Sequence, residues 1–173
     1  MYKDAGQSVN FTTLLLNRKD RDAELEVIQD MADRIQAIKR SVSIRANGEG
    51  LGIAFGFSRK AWDYLFPNAP VPKELEDFQG IKGDKQDVPA VAADLFLHVR
   101  SNDESVTYTV VDQIMEFLRP ITSVVDETHG FHYEQGRAII DFVDGTENPV
   151  GQEAVEWGCL LYTSPSPRDR SLS

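Results

Sequence analysis

In the run Asp94-Leu95-Phe96-Leu97-His98-Val99-Arg100, aliphatic residues alternate with aromatic or basic ones, which is typical of a strand. Leu95, Leu97 and Val99 lie on one predicted side, and Phe96 and His98 lie on the other. Ser101-Asn102-Asp103-Glu104 follows and predicts a capping box at a helix start. That helix repeats its apolar residues at helical spacing, ends before Pro120 and leads into a predicted strand over residues 121–126. The stretch therefore predicts a strand–helix–strand unit.

A similar unit precedes this one. Residues 8–17 predict a strand with Val9, Phe11, Thr13 and Leu15 on one face, and residues 20–40 predict an amphipathic helix. A turn over 47–50, a strand over 51–57, a short helix over 58–65 and a long loop over 67–89 follow. The order strand, helix, strand, strand, helix, strand predicts an α+β, ferredoxin-like (split βαβ) antiparallel sheet with its helices on one face. The other face is then covered by a partner layer or exposed as an apolar patch.

The strand over 51–57 has two unequal faces. Leu51, Ile53, Phe55 and Phe57 form a large apolar face, whereas Gly52, Ala54 and Gly56 carry almost no side chain. A bare face lets another surface approach the backbone closely. Close packing by a helix is the ordinary interpretation, and room for a flat ligand or a partner domain is the functional one.

Composition excludes several classes of partner. The 173 residues carry a net charge of −10, which disfavours binding to nucleic-acid phosphates or to anionic membranes. No window contains the roughly 18 apolar residues of a membrane span, and the N-terminus has no apolar signal-peptide core. We therefore expect a cytoplasmic protein. Cys159 is the single cysteine, so an internal disulfide is excluded.

Chemistry is concentrated in the segment Asp141-Phe142-Val143-Asp144-Gly145-Thr146-Glu147-Asn148-Pro149. It follows the apolar run over 138–140, which predicts a buried strand that ends in a polar loop. The acids do not match a calcium loop, since Phe142 and Val143 interrupt the alternate oxygen ligands that such a loop needs. No metal site is assigned. His129 and His132 form an H-x-x-H pair without an evident third ligand.

Five segments together resemble the DyP-type (dye-decolorizing) haem peroxidases, in particular their cytoplasmic bacterial branch. They are residues 51–56 with Trp62, residues 74–78, residues 94–101, Glu127-Thr128-His129-Gly130-Phe131 and residues 142–149. The resemblance implies the first half of a dimeric α+β barrel-type peroxidase that binds haem b between two ferredoxin-like halves. It implies hydrogen peroxide and a small organic reductant as substrates and a homo-oligomer as the assembled state. It leaves open whether the protein is cargo of an encapsulin shell.

The resemblance also implies roles for residues of the loop. Asp144 would be the distal acid that handles the peroxide proton, and Gly145 would shape the turn beside the haem. Thr146, Glu147 and Asn148 would line or brace that loop as further cofactor-binding residues. The family motif G-x-x-D-G has a glycine where this chain has Asp141. The iron-ligating histidine and the distal arginine belong to the family's C-terminal half, which is missing here, so no histidine of this chain is assigned to iron.

The sequence divides into two parts of different composition near residue 158. Residues 1–157 are interpreted as the N-terminal peroxidase half-domain. Residues 158–173 lose all periodicity and resemble translated adapter sequence, with a natural disordered tail as the alternative. The competing function is a non-catalytic ferredoxin-like module that binds a partner, or itself, through the uncovered sheet face. As a truncated chain, the peroxidase fragment is expected to be inactive.

Overall fold

The computed structural model describes residues 6–45, 50–137 and 139–140. The chain divides into two compact units, Ala5–Phe131 and a second one made of Met1–Asp4 and His132–Ser173. The first unit contains every strand and α-helix described below. In the second, Glu134–Gly136 forms a single 3-10 turn.

The first unit is a four-stranded antiparallel sheet with helices on one face. Its elements are β1 (Ser8–Leu16), α1 (Arg21–Arg45), β2 (Gly52–Phe57), α2 (Arg59–Leu65), β3 (Leu95–Ser101), α3 (Glu104–Leu118) and β4 (Thr122–Phe131). The strand order is β2-β3-β1-β4. All three pairings are antiparallel, so the predicted ferredoxin-like fold is confirmed.

The core lies between the sheet and the helices. Side chains of β1 alternate strictly, so that Leu14 and Leu16 are buried towards the helices whereas Phe11 is exposed on the opposite face. Leu97 of β3 and Ile114 of α3 are fully buried in the same cluster. Each such side chain contributes about 1.5–3 kcal/mol through removal from water. Helix α1 contributes a stripe of buried residues: Ile28, Met31, Ile38 and Val42.

Asp94 connects the two central strands where β1 ends and β3 begins. Its side chain is 3% exposed and accepts hydrogen bonds from the backbone N–H of Leu16 at 2.9 Å and from the Arg18 guanidinium at 2.7 Å. Its backbone N–H donates to the Leu14 carbonyl, and its carbonyl accepts from the Ser58 N–H. Asp94 therefore holds the ends of β1 and β3 and the start of α2 in one place.

The helix before β4 begins differently from the prediction. Asp103, rather than Ser101, is the N-cap of α3, because its carboxylate accepts the Ser105 backbone N–H at 2.7 Å. The Ser101 hydroxyl instead contacts the Thr107 hydroxyl at 2.8 Å inside the core. The predicted capping box is wrong because Ser101 still belongs to β3, where its side chain is buried.

Two elements are longer than the sequence pattern indicates. Helix α1 continues to Arg45, and β4 continues to Phe131 instead of ending at Asp126. β4 extends because β1 offers it backbone partners as far as Ser8, with one irregularity between Thr13 and Leu14. The predicted loop over 67–89 contains one isolated bridge between Ile81 and Val88.

Candidate functional site

The loop that carries the predicted catalytic residues lies outside the described residues. Asp144 and its neighbours over 145–148 therefore remain predictions. The two described residues before that loop, Ile139 and Ile140, form a turn and are 75% and 74% exposed. The prediction of a buried strand is wrong at these two positions, since a run of three apolar residues is too short to distinguish a strand from a turn.

The sheet face opposite the helices is lined by small and aromatic side chains. The strand registers place Ala54 of β2 beside His98 of β3, and His98 beside Phe11 of β1. The bare strip of β2 thus faces away from the helices, and close helix packing does not explain it. Gly52 has a local reason to be glycine, because a Cβ atom there would lie 2.7 Å from the Arg100 Nε atom.

An aromatic group occupies the middle of this open face. The ring centroids of Phe11 and His98 are 4.6 Å apart, and those of Phe11 and Phe96 are 6.0 Å apart with nearly parallel planes. Phe11 is 36% and Phe96 is 41% exposed. Burial, reinforced by the positive charge of Arg100, lowers the pKa of His98 below its usual value. At neutral pH the group is therefore an uncharged surface suited to a flat or apolar partner.

A second candidate site lies on the helix side, between α3 and the edge strand β4. A cavity of about 370 Å³ opens there. Its floor is polar, because Asn10 and Thr12 take the core-facing positions of β1 that leucines occupy further along the strand. Glu127 and His129 of β4 stand directly opposite them in the register. Thr107, Tyr108 and Asp112 are among the α3 residues that form the wall.

The polar side chains of the cavity floor form one connected cluster. Asn10 is fully buried, and its Nδ2 atom lies 3.0 Å from Glu127 Oε1 and 3.3 Å from His129 Nε2. His129 Nε2 lies 2.9 Å from the same Glu127 oxygen. The Thr12 hydroxyl donates to Asn10 Oδ1 at 2.7 Å. Burial of this amide is tolerated because its nitrogen donates to Glu127 and its oxygen accepts from Thr12.

Sequence patterns indicate only part of this cluster. His129 was singled out as half of an H-x-x-H pair, and Glu127 only as part of the segment 127–131, whereas Asn10 was not singled out. The available signal was Asn10, a polar amide at a core-facing position of a strand. Within the described residues, no group of three or more His, Cys, Asp or Glu side chains is arranged around a metal position. Nor is any described helix long and apolar enough to cross a bilayer.

Comparison with known proteins gives consistent results. The family model for the N-terminal part of Dyp-type peroxidases matches residues 2–132. A dye-decolorizing peroxidase of Rhodococcus erythropolis is 36% identical over 129 residues, which are 75% of this chain and 38% of the relative. One from Brevibacterium linens is 39% identical over 134 residues, which are 78% of this chain and 36% of the relative. The chain thus spans well under half of the length of these relatives.

Solved structures agree with the sequence relatives. A crystal structure of a dye-decolorizing peroxidase from Bacteroides thetaiotaomicron is similar with a TM-score of 0.79 and 36% identity, covering 88% of this chain and 48% of that one. The encapsulated DyP-type peroxidase from Mycobacterium smegmatis is similar with a TM-score of 0.77 and 29% identity, covering 87% and 47%. In both, the similarity extends over about half of the solved chain.

Proposed function

The chain belongs to the N-terminal family of Dyp-type peroxidases, and on this premise we propose that it forms one half of a haem peroxidase. The whole protein reduces hydrogen peroxide and oxidises a small organic substrate. The proposal is supported most directly by the match of the N-terminal Dyp-type peroxidase model to residues 2–132. The ferredoxin-like sheet topology agrees with that assignment. Because the chain covers 38% or less of the two sequence relatives described above, the activity is a property of the longer protein.

The described residues fit this role through the open face of the sheet. Ala54 and Gly56 leave the backbone of β2 nearly bare, and a Cβ atom added at Gly56 would make only ordinary contacts, at 3.8 Å or more. Phe11 and Phe96 present partly exposed rings beside this strip. A planar apolar surface of this kind suits a planar ligand or the sheet of a second ferredoxin-like half. Haem b, when bound, supplies the iron that binds peroxide and accepts its oxidising equivalents.

We assign the proton transfer to Asp144. Its carboxylate would take a proton from hydrogen peroxide held in the site and would return it to the departing oxygen, which would leave as water. An aspartate with an ordinary pKa of about 3.9 remains ionised in acid, where a histidine at about 6.5 is already protonated. Gly145, Thr146, Glu147 and Asn148 are proposed to contact the haem. Its iron ligand comes from the C-terminal half.

The test is Asp144→Asn in the full-length protein. We expect the variant to retain haem, seen as an unchanged Soret band, and to lose kcat/KM for hydrogen peroxide by about 10²–10⁴-fold. Asp141→Asn is the matched control, because it removes the same charge three residues earlier and is expected to retain turnover. Undiminished turnover in Asp144→Asn would remove this residue from the role.

The 173-residue chain by itself is proposed to bind haem weakly or not at all and to have no peroxidase activity. Stoichiometric haem in the purified chain would contradict this.

We further propose a cytoplasmic homo-oligomer. Encapsulin packaging is supported by the encapsulated relative from M. smegmatis. Co-expression with an encapsulin shell protein, followed by isolation of the shells, tests the packaging.

A non-catalytic role is the second candidate. It is favoured by the exposure of Phe11 and Phe96 on an apolar sheet face, which also suits a protein partner. The sequence of the complete gene separates the two functions. A second ferredoxin-like half that carries a histidine and an arginine supports the peroxidase, and a reading frame that ends near residue 155 supports the binding module.

A further inference from the structure

We propose that Asn10, Glu127 and His129 form a binding site for one divalent transition-metal ion of the Zn²⁺ type. The proposal does not rest on the peroxidase function. It comes from the cavity between α3 and β4, where three side chains from two strands converge although 117 and 119 residues separate Asn10 from the other two.

The separations between these side chains match those of metal ligands. Glu127 Oε1 and His129 Nε2 are 2.9 Å apart, and the Asn10 amide lies 3.0 Å from the first atom and 3.3 Å from the second. Ligands bound at about 2.1 Å lie about 3.0 Å apart in an octahedral site and about 3.4 Å apart in a tetrahedral one. The three atoms, which are hydrogen-bonded in the metal-free chain, are therefore spaced like one triangular face of a coordination polyhedron.

Asn10 presents its nitrogen to the other two side chains in the metal-free arrangement. A half-turn of the amide places Oδ1 at the same point, and the two orientations differ only in which atom carries the hydrogens. The Thr12 hydroxyl, which now donates to Oδ1 at 2.7 Å, would then accept from Nδ2. Thr12 therefore hydrogen-bonds to the amide in either orientation and would keep the amide oxygen directed at the metal.

The surroundings favour a cation and give it access. Asn10 and Thr12 are 0% and 1% exposed and form a rigid floor, whereas the Glu127 and His129 side chains are 42% and 61% exposed. The cavity of about 370 Å³ leaves space for water on the open side of the metal. Glu104, Asp112 and Arg119 also line the cavity. Arg119 pairs with Asp112 at 2.8 Å, so the lining as a whole keeps a negative charge.

The ligand types indicate which metal to expect. One imidazole nitrogen with a carboxylate and an amide oxygen suits Zn²⁺, Co²⁺ or Ni²⁺, whereas Mg²⁺ prefers an all-oxygen shell. Three protein ligands also leave coordination positions for water, as in sites where the metal remains reactive. The structure therefore assigns a half-open site and not a closed structural one.

The experiment is a calorimetric titration of the tag-free 173-residue chain with ZnCl₂. All variants carry Cys159→Ser, so that the thiol contributes nothing. We expect one Zn²⁺ per chain, and a loss of affinity of at least about tenfold in Glu127→Gln and in His129→Gln. His132→Gln is the matched control and is expected to bind as the parent does. MgCl₂ is expected to give no comparable binding.

The Asn10→Asp variant tests whether Asn10 binds the metal or only stabilises the fold. A carboxylate at this position repels Glu127 without metal and strengthens binding with metal, so Zn²⁺ should raise its melting temperature more than that of the parent. The proposal is overturned if Zn²⁺ stabilises Asn10→Asp no more than the parent, or if His132→Gln weakens binding as much as His129→Gln. Circular dichroism of each variant verifies that it is folded.

Discussion

Asp94 offers the sharpest test of how the central strands are held together. In Asp94→Ala, the buried Leu16 N–H loses its acceptor, which costs about 1–3 kcal/mol. The Arg18 side chain is 40% exposed, so loss of its ion pair adds about 1 kcal/mol or less. The sum is about 1–4 kcal/mol, which for a chain of this size corresponds to a fall in melting temperature of about 2–16 °C.

Asp94→Asn is the matched variant. Its amide oxygen still accepts from the Leu16 N–H, so it loses only the ion pair and about 1 kcal/mol. Urea unfolding followed by circular dichroism measures both variants. The explanation is refuted if the alanine and asparagine variants are equally stable, because the backbone acceptor would then contribute nothing measurable. A free energy of unfolding for Asp94→Ala within about 0.5 kcal/mol of the parent would refute it as well.

Three further predictions concern the two faces of the sheet, the N-cap of α3 and the pKa of His98. Leu97→Ala should cost about 3 kcal/mol in urea unfolding, since the side chain is fully buried, whereas Phe96→Ala on the open face should cost about 1 kcal/mol; equal losses would contradict the assignment of faces. The hydrogen bond from the Ser105 hydroxyl lowers the pKa of Asp103, the N-cap of α3. The cap therefore stabilises the folded chain fully above about pH 4, and this stabilisation is lost as the pH falls through the lowered pKa of the folded state. Asp103→Asn should lack that acid-dependent loss in unfolding experiments, and an identical pH profile would count against the cap. Burial lowers the pKa of His98, so its stabilising contribution is complete above about pH 6.5 and declines below it. The imidazole resonances should titrate below that value, and a midpoint at or above it would contradict the description of the open face.

Several features were predictable because they depend on neighbouring residues. Alternation along β1 predicted two opposite faces, and the structure shows this alternation, with Leu14 and Leu16 on the buried face. The order of strands and helices predicted the ferredoxin-like topology, which is confirmed. The motifs predicted the Dyp-type peroxidase family, and the family model that matches residues 2–132 confirms it. The end of β4 was missed because the pairing partner of a strand, and not its own composition, decides how far it extends.

By itself, the sequence determined the local periodicity, the order of the elements and the family, because each of these is written in residues close together along the chain. Only the tertiary structure decided that the bare strip of β2 lies on the face without helices, and that Asn10 meets Glu127 and His129. The reason is the register of the sheet. It places residues more than a hundred positions apart side by side, and no local pattern specifies that register.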